Sequence, residues 1–229
     1  MVRKSAHSAS IEPPPVLPIC LVLDVSGSMY GPPIDAVNQM MPTLRRTLLA
    51  DPSARAMARL SLIAFESSAH IALPLTDLYR ARIPFLQAGG ATNFRDAFRQ
   101  TRTAIEQGIR LQHSSSRILR PVVYFLSDGA DFDTDWRPAW EQLVGRADAE
   151  AVDLVSFGLG AADRAAIGAI STRYAFTAES TDATVAIRDI FTAISESIIV
   201  TSESFDGTAR ALSAPTTAGL IPLPVRTRA

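Results

Sequence analysis

The chain reads as an α/β protein: a doubly wound, mostly parallel six-stranded sheet with one antiparallel edge strand and helices on both faces. Three observations carry that expectation. Apolar, strand-like runs alternate with segments whose apolar residues recur at helical spacing, the pattern of strands joined by crossover helices. The run Pro121 to Leu126 is apolar throughout, as a strand covered on both faces must be. Between Phe65 and His70 only Glu66-Ser67-Ser68-Ala69 intervenes, and a link that short joins antiparallel neighbours.

Taken in order, the first strand is Pro18 to Asp24, a near-continuous apolar run. Pro33 opens a helix, because its fixed φ suits a first turn. Ile34, Val37, Met40, Met41, Leu44 and Leu48 follow at helical spacing. Arg59 to Phe65 and His70 to Leu75 form the hairpin. Phe94 to Ile109 is helical, with Phe94, Ala97, Phe98, Thr101 and Ile105 on one side. Pro121 to Leu126 takes the centre of the sheet. A helix over Asp135 to Ala147, a strand over Val152 to Phe157, a helix over Ala162 to Ser171 and a strand over Arg173 to Thr177 come next. The last helix runs from Asp182 to Val200, with Ile187, Ile190, Phe191, Ile194 and Ile198 on one face. The domain is thus expected over residues 17–203. Residues 1–16, ending in Glu12-Pro13-Pro14-Pro15, read as a stiff, Pro-rich leader. Residues 204–229 read as a loosely ordered tail rich in Pro, Ala and Thr, so a chain trimmed to 17–203 is expected to keep near-full stability.

Composition narrows the function. With 229 residues and 47% hydrophobic content, the chain can bury one sizeable core. A net charge of −1 gives no general attraction to nucleic acid or anionic membrane. The single cysteine, Cys20, lies inside an apolar strand, so an internal disulfide is excluded. With only three histidines, a Cys/His zinc site is excluded as well. No apolar stretch follows Arg3 and Lys4, so no signal peptide is expected. No run approaches the roughly 20 apolar residues of a spanning helix. A soluble, cytoplasmic protein without nucleic-acid or membrane partners is expected.

In sheets of this kind ligands gather beyond the carboxyl ends of the strands, where strand order reverses. The first strand ends in Asp24-Val25-Ser26-Gly27-Ser28. Alternate positions project to the same side, so one carboxylate and two hydroxyls converge. Such a donor set suits Mg²⁺ or Mn²⁺ and suits Zn²⁺ poorly. Two more segments reach the same crest: Gly89-Gly90-Ala91-Thr92-Asn93 ahead of a helix, and Ser127-Asp128-Gly129 after the central strand. Each also has an ordinary reading. Ser26-Gly27 forms a polar turn, Thr92 caps the helix, and Asp128-Gly129 is a simple turn.

The three segments, in that order and at those positions, resemble the metal-ion-dependent adhesion site of the von Willebrand factor A domain, over roughly Pro18 to Val200. The resemblance implies Ser26, Ser28 and Thr92 as hydroxyl ligands, with Asp24 and Asp128 at the ion or just outside it through water. Two carboxylates formally neutralise Mg²⁺, with Mn²⁺ or Ca²⁺ as alternatives, while the hydroxyls add no charge. The ion stays electrophilic and one exchangeable position accepts an Asp or Glu carboxylate from a partner protein. Closer still, Val22 to Met29, Gly31 to Asn38, Phe125 to Gly129 with Thr134-Asp135-Trp136, and Ile194 to Ile198 resemble the bacterial TerY-like branch associated with tellurium resistance. That branch implies an adaptor in a tellurite or stress-response phosphorylation system, with a phosphatase and kinase pair as partners. The chain departs from the family at Ala91, where many members carry threonine. It departs again at Ala130-Asp131-Phe132-Asp133, which replaces a proline-containing turn. Asp131 and Asp133 read as solvated loop charges. Tyr30, Phe132 and Trp136 form the expected partner-binding rim, because aromatics around a polar centre exclude water from the contact they surround.

Enzymatic readings compete poorly. A serine hydrolase needs a base near Ser26 or Ser28, yet His7, His70 and His113 fall in the leader, an edge strand and a polar loop. The alternative is an Mg²⁺-dependent phosphohydrolase using Asp24 as phosphoryl acceptor. Such enzymes typically place a second carboxylate two residues on, where this chain has Ser26. Neither a P-loop nor a dinucleotide glycine pattern is present. A binding module rather than an enzyme is expected.

Overall fold

Apolar side chains on both sides of β1 (Leu17–Asp24) require cover on both faces. Leu17, Ile19, Leu21 and Leu23 face one helical layer, and Cys20 and Val22 face the other. A computed structural model describes residues 15–112, 116–129, 135–145, 151–205, 212–215 and 218–225. After β1, a 3-10 turn at Gly27–Met29 leads into α1 (Pro32–Ala50). A short helix unforeseen in the sequence, α2 (Pro52–Met57), follows. Asp51 caps it by accepting the Ala54 N–H at 2.7 Å, and Pro52 fills its first turn. The hairpin is β2 (Ala58–Phe65) and β3 (Ala69–Asp77). Alternation then continues through α3 (Phe94–Arg110), β4 (Val122–Ser127), α4 (Arg137–Val144), β5 (Asp153–Gly158), α5 (Arg164–Ile170), β6 (Tyr174–Ala178), α6 (Ala183–Glu203) and β7 (Leu220–Leu223).

The strand order is β3-β2-β1-β4-β5-β6-β7. Pairing is parallel from β2 through β6, and β3 and β7 are antiparallel to their neighbours. β4 is the middle strand, as its unbroken apolar sequence requires. The chain leaves β1 toward one edge and returns on β1's other side with β4, so strand order reverses between β1 and β4. α1 and α6 cover one face; α3 and α4 cover the other. On the second face Phe125 of β4 meets Phe65 and Phe94 at 5.0 Å each and Phe98 at 5.5 Å between ring centroids. Those contacts fix the first turns of α3 to the sheet centre, and with them the loop carrying Thr92.

Three expectations are corrected. The described sheet has seven strands rather than six, and both of its edges are antiparallel rather than one. The extra strand, β7, comes from the segment read as a loose tail. Ala178 pairs with Leu220 and Ala175 with Leu223, while the Glu179 N–H reaches the Gly219 carbonyl at 2.8 Å. Four residues are too few to show a strand period, and Pro222 reads as a breaker; an edge strand tolerates it. The domain boundary at 203 is therefore too early. Upstream of β7, Ser213 donates its N–H to Thr201 Oγ1 at 3.0 Å and accepts from Ser197 Oγ at 2.6 Å. At the other terminus, leader residues 1–14 lie outside the described residues. Val16 is buried, with its carbonyl accepting the Leu119 N–H at 2.8 Å, so it belongs to the fold. Among the described residues no helix is long and apolar enough to cross a membrane.

Candidate metal centre

The parallel register that pairs Leu23 with Leu126 brings Asp24 beside Ser127 at the carboxyl ends of β1 and β4. Asp24 is fully buried. Its Oδ2 accepts from Ser127 Oγ at 2.5 Å and its Oδ1 from the Ser26 N–H at 2.8 Å. Ser127 Oγ also accepts the Gly129 N–H at 3.2 Å, so one hydroxyl ties the carboxylate of the first loop to the backbone of the third. Sequence reasoning gave Ser127 no role. Its signal was there: a hydroxyl ending an otherwise apolar central strand, next to a strand that ends in a carboxylate. Burial pushes the Asp24 carboxyl up to about 6; the bonds from Ser127 and Ser26 oppose the shift, and the Asp128 charge adds to it.

Ser26 and Ser28 follow at alternate positions, and their hydroxyl oxygens lie 3.1 Å apart. Ser28 Oγ donates to Asp128 Oδ1 at 2.8 Å. Asp128 is half-buried, and burial raises its pKa above the ordinary carboxylate value. Thr92, 4% exposed, comes from the second segment. It does not cap α3: Asn93 does, its Oδ1 accepting the Asp96 N–H at 3.0 Å. Among the described residues the buried Thr92 hydroxyl has no hydrogen-bond partner. A Cβ added to Gly129 would sit 3.3 Å from Thr92 Oγ1, so that hydroxyl faces the Asp128 loop. Ser26, Ser28, Thr92 and Asp128 line one shallow cleft.

Backbone bonds hold the loops in place. Gly27 N–H donates to the Gly90 carbonyl at 2.9 Å, and Gly89 N–H to the Val25 carbonyl at 2.8 Å. Gly90 has φ +75°, and a Cβ there would lie 1.8 Å from Glu66 Oε2. Gly90→Ala adds left-handed strain and displaces Glu66, so a loss of about 1–3 kcal/mol is expected. Chemical denaturation tests this; an unshifted midpoint refutes it.

Of the three expected rim residues, the structure describes two, Tyr30 and Trp136. Tyr30 is 79% exposed beside the cleft loops. Trp136 is a correction: it is buried against Phe98 and Trp140, at centroid distances of 6.0 and 6.3 Å, with the Arg137 guanidinium 5.1 Å from its ring. At the start of α4 it faces α3, so it is core rather than contact surface. Phe132, with Asp131 and Asp133, lies outside the described residues, as do His7 and His113. His70 is exposed on the edge strand β3. No group of three or more His, Cys, Asp or Glu suited to an ion occurs among the described residues. The cleft lined by Ser26, Ser28, Thr92 and Asp128 is instead hydroxyl-rich. Its donors, two carboxylates and neutral hydroxyls, one of them buried and unpartnered, fit a hard divalent cation.

The sequence pattern of the von Willebrand factor type A domain matches residues 19–193. No match was found among curated proteins. Among solved structures the chain is similar to the pilus adhesin SpaC of Lactobacillus rhamnosus GG, with TM-score 0.60 and 15% identity over 81% of this chain and 30% of that one. It is similar to a von Willebrand factor type A protein of Catenulispora acidiphila, with TM-score 0.56 and 16% identity over 81% of this chain and 43% of that one. It is also similar to proximal thread matrix protein 1 of the mussel byssus, described with a zinc-occupied MIDAS motif. There the TM-score is 0.52 and the identity 17%, over 79% of this chain and 46% of that one. The chain therefore spans less than half the length of each of these proteins.

Proposed function

Because the chain belongs to the von Willebrand factor type A domain family, we propose that it is a metal-dependent protein-binding module whose ion is completed by a partner's carboxylate. Ser26, Ser28 and Thr92 would offer hydroxyl oxygens and Asp128 a carboxylate oxygen. Asp24 would supply the second negative charge from below while holding the Ser26 backbone. The observation that carries this reading is the Thr92 hydroxyl, buried at the cleft and without a hydrogen-bond partner among the described residues. A buried polar group in that state calls for a water or an ion to satisfy it. Oxygen donors favour Mg²⁺, with Mn²⁺ or Ca²⁺ as alternatives, although the mussel protein carries zinc at its site. Bound there, the ion would supply a Lewis-acidic position open to an Asp or Glu side chain.

A phosphohydrolase reading fits less well. Asp24 is wholly buried and both of its carboxylate oxygens already accept hydrogen bonds, so it is poorly placed to attack a phosphoryl group. For the binding module, the proposed partners are those the tellurium-resistance resemblance implies, a phosphatase and kinase pair in a bacterial cytoplasm. Titration calorimetry with Mg²⁺, Mn²⁺ and Ca²⁺ tests the first half: one ion should bind per chain, and absence of binding by all three sinks the proposal. Affinity purification with Mg²⁺ against EDTA then identifies what the metal retains. Against that partner, Tyr30→Ala is expected to leave fold and metal binding intact and to weaken association by about 1–3 kcal/mol. Equal affinity of variant and wild type would remove Tyr30 from the contact surface.

A further inference from the structure

The turn between β2 and β3 grips the second cleft loop on both sides of Thr92. Ser67 Oγ accepts the Ala91 N–H at 2.9 Å, and the Ser67 carbonyl accepts Asn93 Nδ2 at 3.1 Å. One residue thus holds the neighbours before and after Thr92. The same Asn93 side chain caps α3, whose Asp96 reaches back to accept the Ala69 N–H at 2.6 Å on the far side of the turn. The turn itself is stiff: the Glu66 carboxylate accepts from the Ser67 N–H at 2.5 Å and from Ser68 Oγ at 3.3 Å. Gly90 lies against Glu66 and Ser67 so closely that no side chain fits, and its carbonyl passes the contact on to Gly27, between Ser26 and Ser28.

We propose that Ser67 is the positioning residue of the metal centre, fixing the Thr92 hydroxyl from outside the cleft by bonding to Ala91 and Asn93. The inference rests on the metal-binding reading above and deepens it. The Ala91 methyl offers no side-chain hydrogen bond, and at this residue the loop is held to Ser67 through its backbone N–H. Ser67 is solvent-exposed, which lets the role be separated from a structural one.

The test measures Mg²⁺ affinity by calorimetry and metal-free melting temperature for wild type, Ser67→Ala and Ser67→Thr in the full chain. Residues that orient a ligand from outside typically cost about 10–100-fold in metal affinity when removed. Ser67→Ala should therefore bind Mg²⁺ at least about tenfold more weakly while melting as wild type does without metal. Ser67→Thr, which keeps the hydroxyl, should restore the affinity. Undiminished affinity in Ser67→Ala overturns the inference. So does weakened binding in both variants with a lowered metal-free melting temperature, since that is the mark of a damaged turn. If wild type itself binds no Mg²⁺, Mn²⁺ or Ca²⁺, the proposed function fails and the inference falls with it, an outcome distinct from loss of the Ser67 effect alone.

Discussion

Asp24→Asn is expected to abolish Mg²⁺ binding and, without metal, to make the protein more stable near neutral pH. The asparagine fits the same space. Its Oδ1 can still accept the Ser26 N–H, and its Nδ2 can donate to Ser127 Oγ, which then accepts instead of donating. What disappears is the charge. The Asp24 carboxyl, normally near 3.8, titrates at about 6 in the folded chain, so the folded state holds its proton more tightly than the unfolded one. Its stabilising contribution is complete below pH 4 and is lost as pH rises through 6. By pH 7 the buried charge costs about 3 kcal/mol. Metal-free wild type should therefore gain stability on going from pH 7 to pH 5 relative to Asp24→Asn, and Mg²⁺ should raise the melting temperature of wild type alone. An equal Mg²⁺ response in both proteins, or parallel pH profiles, would show that Asp24 has neither role.

Much of this arrangement is legible in the chain. The apolar run of β4 announces a middle strand, and the four-residue link after Phe65 announces the antiparallel edge at β3. Asp24 and Asp128 stand out because each interrupts a strand pattern that burial would otherwise keep apolar. The departures share a cause: they depend on contacts between segments distant in sequence. Ser127 gains its function from the register of β1 on β4, and Ser67 gains its own from the way the hairpin folds over the start of α3. Trp136 illustrates the reverse. A helix's first turn has an inner and an outer side, and nothing in Asp135-Trp136-Arg137 says which side α3 will cover. Thr92 and Asn93 are both acceptable caps; only the structure separates the one that holds the helix from the one left turned toward the cleft.

Truncation after Glu203, which the sequence pattern alone would permit, is expected to be severely destabilising. It removes β7 and so strips the outer hydrogen-bond partners from β6 along Ala175 to Ala178. At about 1 kcal/mol per ladder bond, that loss is several kcal/mol. It also removes Leu212 and Leu220, which pack on the α1–α6 core, and Phe205 beside them. Inside, Ser197 and Thr201 lose Ser213, and Ser197, which accepts from the buried Tyr124 hydroxyl, no longer has the Ser213 carbonyl to donate to. The tail is fitted to its seat. A Cβ on Gly168 of α5 would lie 2.5 Å from the Pro224 carbonyl, and one on Gly219, at φ +96°, would lie 2.4 Å from Asp189 Oδ2. Such close approaches are built only where a segment stays docked. A combined loss of about 5 kcal/mol corresponds to a fall in melting temperature of roughly 10–20 °C for a domain of this size. A chain ending at Val225 should melt as the full chain does, and one ending at Glu203 should melt far lower or fail to fold. Coincident melting curves for those two proteins would mean that β7 and the residues leading to it contribute nothing, and the domain would end at α6 after all.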